Sequence, residues 1–304
     1  MNKIFISTDS TADVTDELGR ELSLSFIRFS VGTRAFCLPD RIYSPDDALD
    51  CFLKTENVKN PVVVPKVADY EELFDDLAEA GGSVVHISQG SFWSKAYKNA
   101  CAAAKNTMVK YKKSLVLVLD SRSTAAGQAL VLDYALAEKS KNARAEEIFA
   151  LSDELSQRVE RYFILPDVSR FNKLFPSAVG NLAQSSNTVA LVSVDESGGI
   201  LSVKRCSSFV AACKLVSDAY VAADCKYPCY VYGSACVEPL LKAVSVFRKR
   251  SIRDIRMSAM GAANCCTFGK DAVSVAFIGN PKKAEEKKKF TPGKPSDFFN
   301  PEEN

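Results

Sequence analysis

Hydroxyl and carboxyl side chains gather at three points of this sequence, each directly behind a run of apolar residues. Thr8-Asp9-Ser10-Thr11 follows Ile4-Phe5-Ile6, the stretch Ser88 to Ser94 follows Val84-Val85-His86-Ile87, and Asp120-Ser121 follows Leu115-Val116-Leu117-Val118-Leu119. Such groups can donate O–H bonds to an anion, hold a turn by bonding backbone amides, or supply a nucleophile. Ser94 is either a plain helix cap or a ligand donor: it precedes a helix-like segment, and the start of a helix favours an anion. Thr8, Asp9, Ser10, Asp120 and Ser121 are read as structural, holding strand-to-helix turns. The neighbouring Trp93, the single tryptophan, walls a ligand mouth or plugs an interface between domains. The enzymatic alternative is a hydrolase or transferase that uses Ser94 as nucleophile. The single histidine, His86, lies inside an apolar run and reads as a core residue. That leaves no base for Ser94 and no His-rich metal site, so no catalytic residue is assigned.

These clusters need elements to position them. The apolar runs, rich in Val, Ile and Leu, read as strands buried on both faces, and helical spacing follows each. In an open parallel sheet the ligand crevice lies outside the carboxyl ends of the strands, which would bring the three clusters together. Tyr70, Leu73, Phe74 and Leu77 share a helical stripe that Gly81-Gly82 ends, and Ser94 is a plausible N-cap for the next helix. Residues 127–138 are apolar nearly all round, which predicts a buried helix. Ile148, Leu151, Leu155 and Val159 form another stripe. Past residue 160 the rhythm changes. Tyr162 to Leu165 reads as a strand, residues 188–204 as a hairpin around Asp195-Glu196-Ser197-Gly198-Gly199, residues 207–220 as a helix, 230–232 as a strand, 240–247 as a helix and 272–278 as the last strand. The expectation is an α/β protein of two domains. Residues 1–160 form a three-layer parallel-sheet domain, residues 161–280 a two-layer α/β domain with a mixed sheet, and the Lys/Glu/Pro-rich residues 281–304 a mobile tail.

Composition narrows the function classes. The net charge of +2 in 304 residues gives no electrostatic footprint for nucleic acid. No apolar run approaches the roughly 20 residues of a membrane span. The chain enters a strand-like run directly, without a signal-peptide layout, from which a cytoplasmic protein is expected. Ten cysteines without C-x-x-C spacing read as small reduced hydrophobes.

The clusters also carry a resemblance. Lys3-Ile4-Phe5-Ile6-Ser7-Thr8-Asp9-Ser10-Thr11-Ala12-Asp13 resembles the N-terminal signature of the DegV family of bacterial fatty-acid-binding proteins. Leu119-Asp120-Ser121 with Gly127 resembles its second Asp-Ser turn, Ile87 to Ala100 its serine-rich turn, and Gly198-Gly199-Ile200 through Lys204-Arg205 its arginine hairpin. The resemblance implies a two-domain protein, not itself an enzyme, that buries one long-chain fatty acid or related acyl lipid in a tunnel. The carboxylate would sit at the domain interface, and the protein would act as carrier for a fatty acid kinase, with no cofactor. It places Ser94 and Arg205 at the head group, with Trp93 beside them. Val62-Val63-Val64-Pro65-Lys66 stands where the family has a Thr-Ser pair, so Lys66 is the cation that could replace those hydroxyls. Thr267-Phe268-Gly269-Lys270-Asp271 stands at the family's late His-x-Gly-Pro-Gly turn, which makes Thr267 and Gly269 ligand candidates and loses the histidine. A divergent scaffold that keeps the fold without the lipid is the third reading.

Overall fold

The computed structural model describes residues 3–33, 36–40, 45–179, 189–225 and 227–279. In chain order the elements are β1 (Lys3–Asp9), α1 (Asp16–Glu21), β2 (Ser25–Ile27), β3 (Ser30–Gly32), β4 (Cys37–Pro39), α2 (Pro45–Lys54), β5 (Val62–Val63), α3 (Val67–Glu79), β6 (Gly82–Ser88), α4 (Ala96–Lys110), β7 (Val116–Asp120), α5 (Ala126–Ser140) and α6 (Ala145–Arg158). There follow β8 (Val159–Leu165), α7 (Ser169–Leu174), α8 (Pro176–Val179), β9 (Val189–Val194), β10 (Ile200–Cys206), α9 (Phe209–Ala222), β11 (Cys229–Gly233), α10 (Val237–Lys249), β12 (Ile255–Ala259), α11 (Ala262–Phe268) and β13 (Val273–Ile278).

The three apolar runs form adjacent parallel strands in a sheet of order β2-β1-β6-β7. Alternate residues feed opposite faces. Val84, Val116 and Val118 pack with α3 and α4, whereas Val85, Ile87, Leu117 and Leu119 pack with α5 and α6. Burial on both faces is why these strands carry no polar alternation. Their carboxyl ends meet at one edge, where Thr8 pairs with Ile87 and Ser88 with Asp120.

The second sheet is mixed, in the order β10-β9-β8-β13-β11-β12, with β12 parallel to β11 and the other pairs antiparallel. One face holds Ile164, Val231, Val275 and Phe277 against α9 and α10. The opposite face holds Phe163, Leu165, Val192 and Ala276 in the same core as α5 and the parallel sheet. Helix α5 thus lies between the two sheets, touching β1 and β6 on one side and β11 and β13 on the other. That position explains a helix apolar nearly all round: it has no solvent face for most of its length.

Three features depart from the sequence expectation. The α6 stripe runs through Ala145, Ile148, Ser152 and Leu155; Leu151 is exposed, and Val159 is already the first residue of β8. Strand β12, Ile-Arg-Met-Ser-Ala, is an edge strand whose exposed Arg256 and Met257 hide its periodicity. A small antiparallel sheet of order β4-β3-β5 is built from strands of two or three residues, too short to show a period. Thr188 and residues 281–304, read as hairpin and tail, lie outside the described residues. Among the described residues no helix is long and apolar enough to cross a membrane. The cysteines are free, six of them buried, and burial pushes the Cys213 and Cys266 thiols up to about 12. A thiol held protonated is a packing group and a poor nucleophile.

Candidate functional site

The Asp9 carboxyl group ties the first two clusters together. It accepts from Tyr70 Oη at 2.7 Å, from Ser88 Oγ at 2.9 Å and from the Gln89 amide. His86 Nε2 lies 3.3 Å from Asp9 Oδ1 without an aligned hydrogen bond, and His86 Nδ1 is 3.0 Å from Ser7 Oγ. The imidazole packs edge-on against Tyr70 and Phe74 and is fully buried. It is the core residue that its apolar run suggests. Thr8 Oγ1 donates to the Ile87 carbonyl at 2.7 Å, and Ser10 Oγ donates to Asp40 at 2.8 Å. Asp120 Oδ1 accepts from the Ser91 and Arg122 amides, and Ser121 Oγ donates to the Ser123 carbonyl at 3.2 Å. The two loops above the strands touch: a Cβ on Gly90 would stand 2.5 Å from the Ser123 nitrogen. These hydroxyls and carboxyls are spent on the scaffold.

Beyond that edge, between the parallel sheet, α7 and α11, lies a cavity of about 330 Å³. One wall is polar, made by Thr11, Gln89, Thr124 and Asn264, with Asn60, Ser94, Lys95 and Thr267 also lining the space. The rest is apolar: Phe29, Val62, Val64, Trp93, Leu174, Phe175, Ala263 and Phe268. The polar wall is a chain of bonds. Gln89 Nε2 donates to Thr124 Oγ1 at 3.0 Å, Thr124 Oγ1 to Asn264 Oδ1 at 2.8 Å, and Asn264 Nδ2 to Asp13 Oδ2 at 2.8 Å. Two buried polar atoms of the lining have no partner among the described residues, Gln89 Oε1 and Trp93 Nε1. An orphaned acceptor and an orphaned donor in the lining of one cavity are what a polar ligand head would satisfy.

The residues singled out in the sequence divide clearly. Trp93, Ser94 and Thr267 line this cavity. Ser94 is not the N-cap that its place suggested: Lys95 holds that position without a side-chain cap, and Ser94 Oγ accepts from the Ala96 amide at 3.1 Å, which uses an acceptor and leaves the O–H proton for a ligand. Thr267 Oγ1 donates to the Ala263 carbonyl at 2.8 Å, one turn back along α11. Gly269 ends α11 at φ +103, a conformation that favours glycine, and lines a smaller neighbouring cavity with Arg170, Lys173 and Lys270. Lys66 is exposed at the N-terminus of α3 and Arg205 is exposed on the edge strand β10; neither lines the cavity. Where the resemblance sets a Thr-Ser pair, Val62 and Val64 make that wall apolar and Val63 is exposed. Sequence reasoning missed Gln89, Thr124 and Asn264, because an isolated amide or hydroxyl carries no periodic signal.

Behind the polar wall sit two buried carboxyl groups. Asp13 accepts from the Gly261 amide and Asn264, and Asp40 from the Ala263 amide and Ser10, so both hold the first turn of α11. Burial holds Asp13 well above the usual carboxyl range, with the Asp40 charge adding to the effect; burial also raises Asp40, against its amide and Ser10 bonds and the Arg28 charge. The sign follows from proton counting. Between the unfolded value near 4 and the raised native value, the native state binds more protons, so stability is greatest at low pH and is lost as pH rises through the native value. Asp13→Asn should therefore make the slope of unfolding free energy against pH less negative, by up to about 1.4 kcal/mol per pH unit for one proton. Urea denaturation of both proteins between pH 5 and 8 measures it; parallel slopes would show that Asp13 does not titrate there.

Comparison with known proteins accounts for this arrangement. Residues 3–280 match the family model described as "Uncharacterised protein, DegV family". A DegV domain-containing protein of Clostridium perfringens is 19% identical over 296 residues, covering 93% of this chain and 99% of that protein. Among solved structures, DegV of Bacillus subtilis, described as a fatty acid binding protein, superposes with a TM-score of 0.77 at 17% identity, over 92% of this chain and all of that one. A stearic acid-binding protein of Eubacterium ventriosum does so with a TM-score of 0.77 at 16% identity, over 92% and 98% of the two chains. The two-sheet fold is thus a shared one, and the chain belongs to the DegV family.

Proposed function

We propose that the chain binds a fatty acid in the 330 Å³ cavity, its carboxylate near Ser94 and the indole N–H of Trp93 and its acyl chain against Phe175 and Phe268. The observation that carries this reading is the division of that one cavity into a wall of hydroxyls and amides and a wall of aromatic and aliphatic groups. An amphiphile fits such a cavity better than a uniformly polar or apolar ligand. Fatty acids named with solved DegV proteins, including stearic, vaccenic and heptadecanoic acids, support the same class. The driving force is burial of the chain, about 0.8 kcal/mol per methylene before ordering costs. Binding then survives a head-group site with hydroxyl and indole donors and no arginine or histidine among the described residues of the lining.

The reading is a binding protein. Ser94 has no base: its one hydrogen bond among the described residues is with the Ala96 amide, and His86 is committed to Ser7 inside the sheet. An unactivated serine is a weak nucleophile. Native mass spectrometry of the purified protein should show one bound acid, and the loaded protein offered to a fatty acid kinase with ATP tests the carrier role through acyl phosphate. A clean apo mass with no uptake from an added saturated series would leave the scaffold reading in its place. Ser94→Ala should weaken binding of the best acid in that series by about 1 kcal/mol, and by up to about 3 if the acceptor is a full carboxylate. Arg205→Ala, outside the cavity, should leave the affinity within about twofold, roughly 0.4 kcal/mol. The reverse pattern, with Arg205 sensitive and Ser94 silent, would move the head group out of this cavity.

A further inference from the structure

The bonds of the polar wall run in one direction and end on an acceptor. Asn264 Nδ2 donates to the Thr11 carbonyl at 2.9 Å and to Asp13 Oδ2 at 2.8 Å. Those two acceptors fix the amide, so Asn264 Oδ1 faces Thr124 at 2.8 Å and takes its single hydroxyl proton. Thr124 Oγ1 then has only lone pairs for Gln89, which must present Nε2, at 3.0 Å. Turning the Gln89 amide over would set two acceptors against the one Thr124 proton. The chain therefore ends on Gln89 Oε1, which has no donor among the described residues. Gln89 lines the cavity, is 7% exposed, and is held by its own backbone amide on Asp9.

A group that satisfies that oxygen must carry a hydrogen. A carboxylate carries none and would set a charged oxygen against a carbonyl oxygen. The nearby charges are mostly of the same sign. Asp9 accepts from the Gln89 amide, Asp13 from Asn264, and Asp40 from the first turn of α11. Arg122, two residues before Thr124, is paired with Asp153, and α11 carries no charged side chain. Lys95 is the one cation among the described residues of the lining, and it is exposed to solvent. Resting on the fatty-acid reading above, we propose that the head group is held uncharged, as the protonated acid: its O–H donates to Gln89 Oε1, and its carbonyl oxygen accepts from Trp93 Nε1 and the Ser94 hydroxyl. A primary amide presents the same donor and acceptor. Gln89 is then the residue that selects a neutral head group over an anionic one.

The test titrates the delipidated protein with decanoic acid and with decanamide, which bury the same alkyl chain, between about pH 5 and about pH 8. With an ordinary carboxyl pKa of about 4 to 5, the acid should bind about tenfold more weakly for each pH unit, as its neutral fraction falls. The amide should bind equally at each pH, and on the order of a hundredfold more tightly than the acid at pH 7. Gln89→Met removes the acceptor at similar bulk and should bring the two ligands to within about tenfold of each other at pH 7. If that variant does not fold, the comparison on the native protein decides alone. Acid affinity that stays level across the range, with the amide the weaker ligand, overturns the neutral head group. It leaves the fatty-acid reading standing, with Lys95 as the carboxylate's partner. Amide affinity that falls in step with the acid's assigns the titration to the protein's own carboxyl groups and overturns the proposal as well. No binding of either ligand sinks the fatty-acid reading itself.

Discussion

Asp9→Ala should remove a large share of this protein's folding stability at room temperature. The carboxyl group is fully buried and takes three hydrogen bonds, from Tyr70, Ser88 and the Gln89 amide. Removing it strands those donors and empties the space beside His86 Nε2, 3.3 Å away. A buried donor left without an acceptor costs about 1–3 kcal/mol, so the loss should reach about 4 kcal/mol or more. A domain of ordinary stability has about 5–15 kcal/mol in total. The replacement also unties β1 from the turn after β6, the two elements that bring Thr11 and Gln89 to the cavity. Urea denaturation at pH 7 measures the loss. Asp9→Asn, which keeps one acceptor oxygen, should fall between the two proteins. A cost below about 1 kcal/mol would mean that water replaces the carboxyl group, and would place Asp9 among solvated turn residues.

How much of this could be read from the sequence depends on what each residue is bonded to. β1, β6 and β7 were legible because burial on both faces leaves an unbroken apolar run, and the polar clusters behind them marked the sheet's carboxyl edge. The buried α5 was legible for the same reason. Ser94 was visible as a hydroxyl just before a helix, although the cap position itself falls one residue on, at Lys95. The cavity was not visible. Phe163, Phe171, Phe175 and Phe268 come from three separate segments, and an aromatic residue at helical or strand spacing looks alike whether it faces a ligand or another ring. Thr124 and Asn264, 140 residues apart, meet only because α11 returns to the parallel sheet. Arg205 shows the opposite failure. Its place in the hairpin motif matched the resemblance, but a motif fixes a strand position and not which cavity that strand faces.

Arg170 is the clearest group without a sequence signal, and its removal carries the second large effect. It sits on α7, and its side chain is buried without a carboxylate partner among the described residues. The guanidinium instead donates to carbonyls of two other segments. Nε bonds Cys266 in α11, and Nη1 reaches the carbonyls of Val58 at 2.9 Å, Thr55 at 3.2 Å and Glu56 at 3.4 Å after α2. The carbonyls in the last turn of a helix have no partner within the helix, and Arg170 supplies one. Burial draws its pKa down from the usual arginine range, although a guanidinium stays charged through such a shift. Arg170→Ala should cost about 3 kcal/mol, since several buried carbonyls lose a charged donor together. Arg170→Lys should recover little of this, because one ammonium cannot span the fork that bonds α11 and the α2 segment at once. The effect should extend to binding. α11 carries Ala263, Asn264, Thr267 and Phe268 in the cavity wall, so a folded Arg170→Lys protein should bind its acid several-fold more weakly. Unchanged affinity in that variant, with melting temperature lowered, would show that Arg170 holds the fold without setting the position of α11.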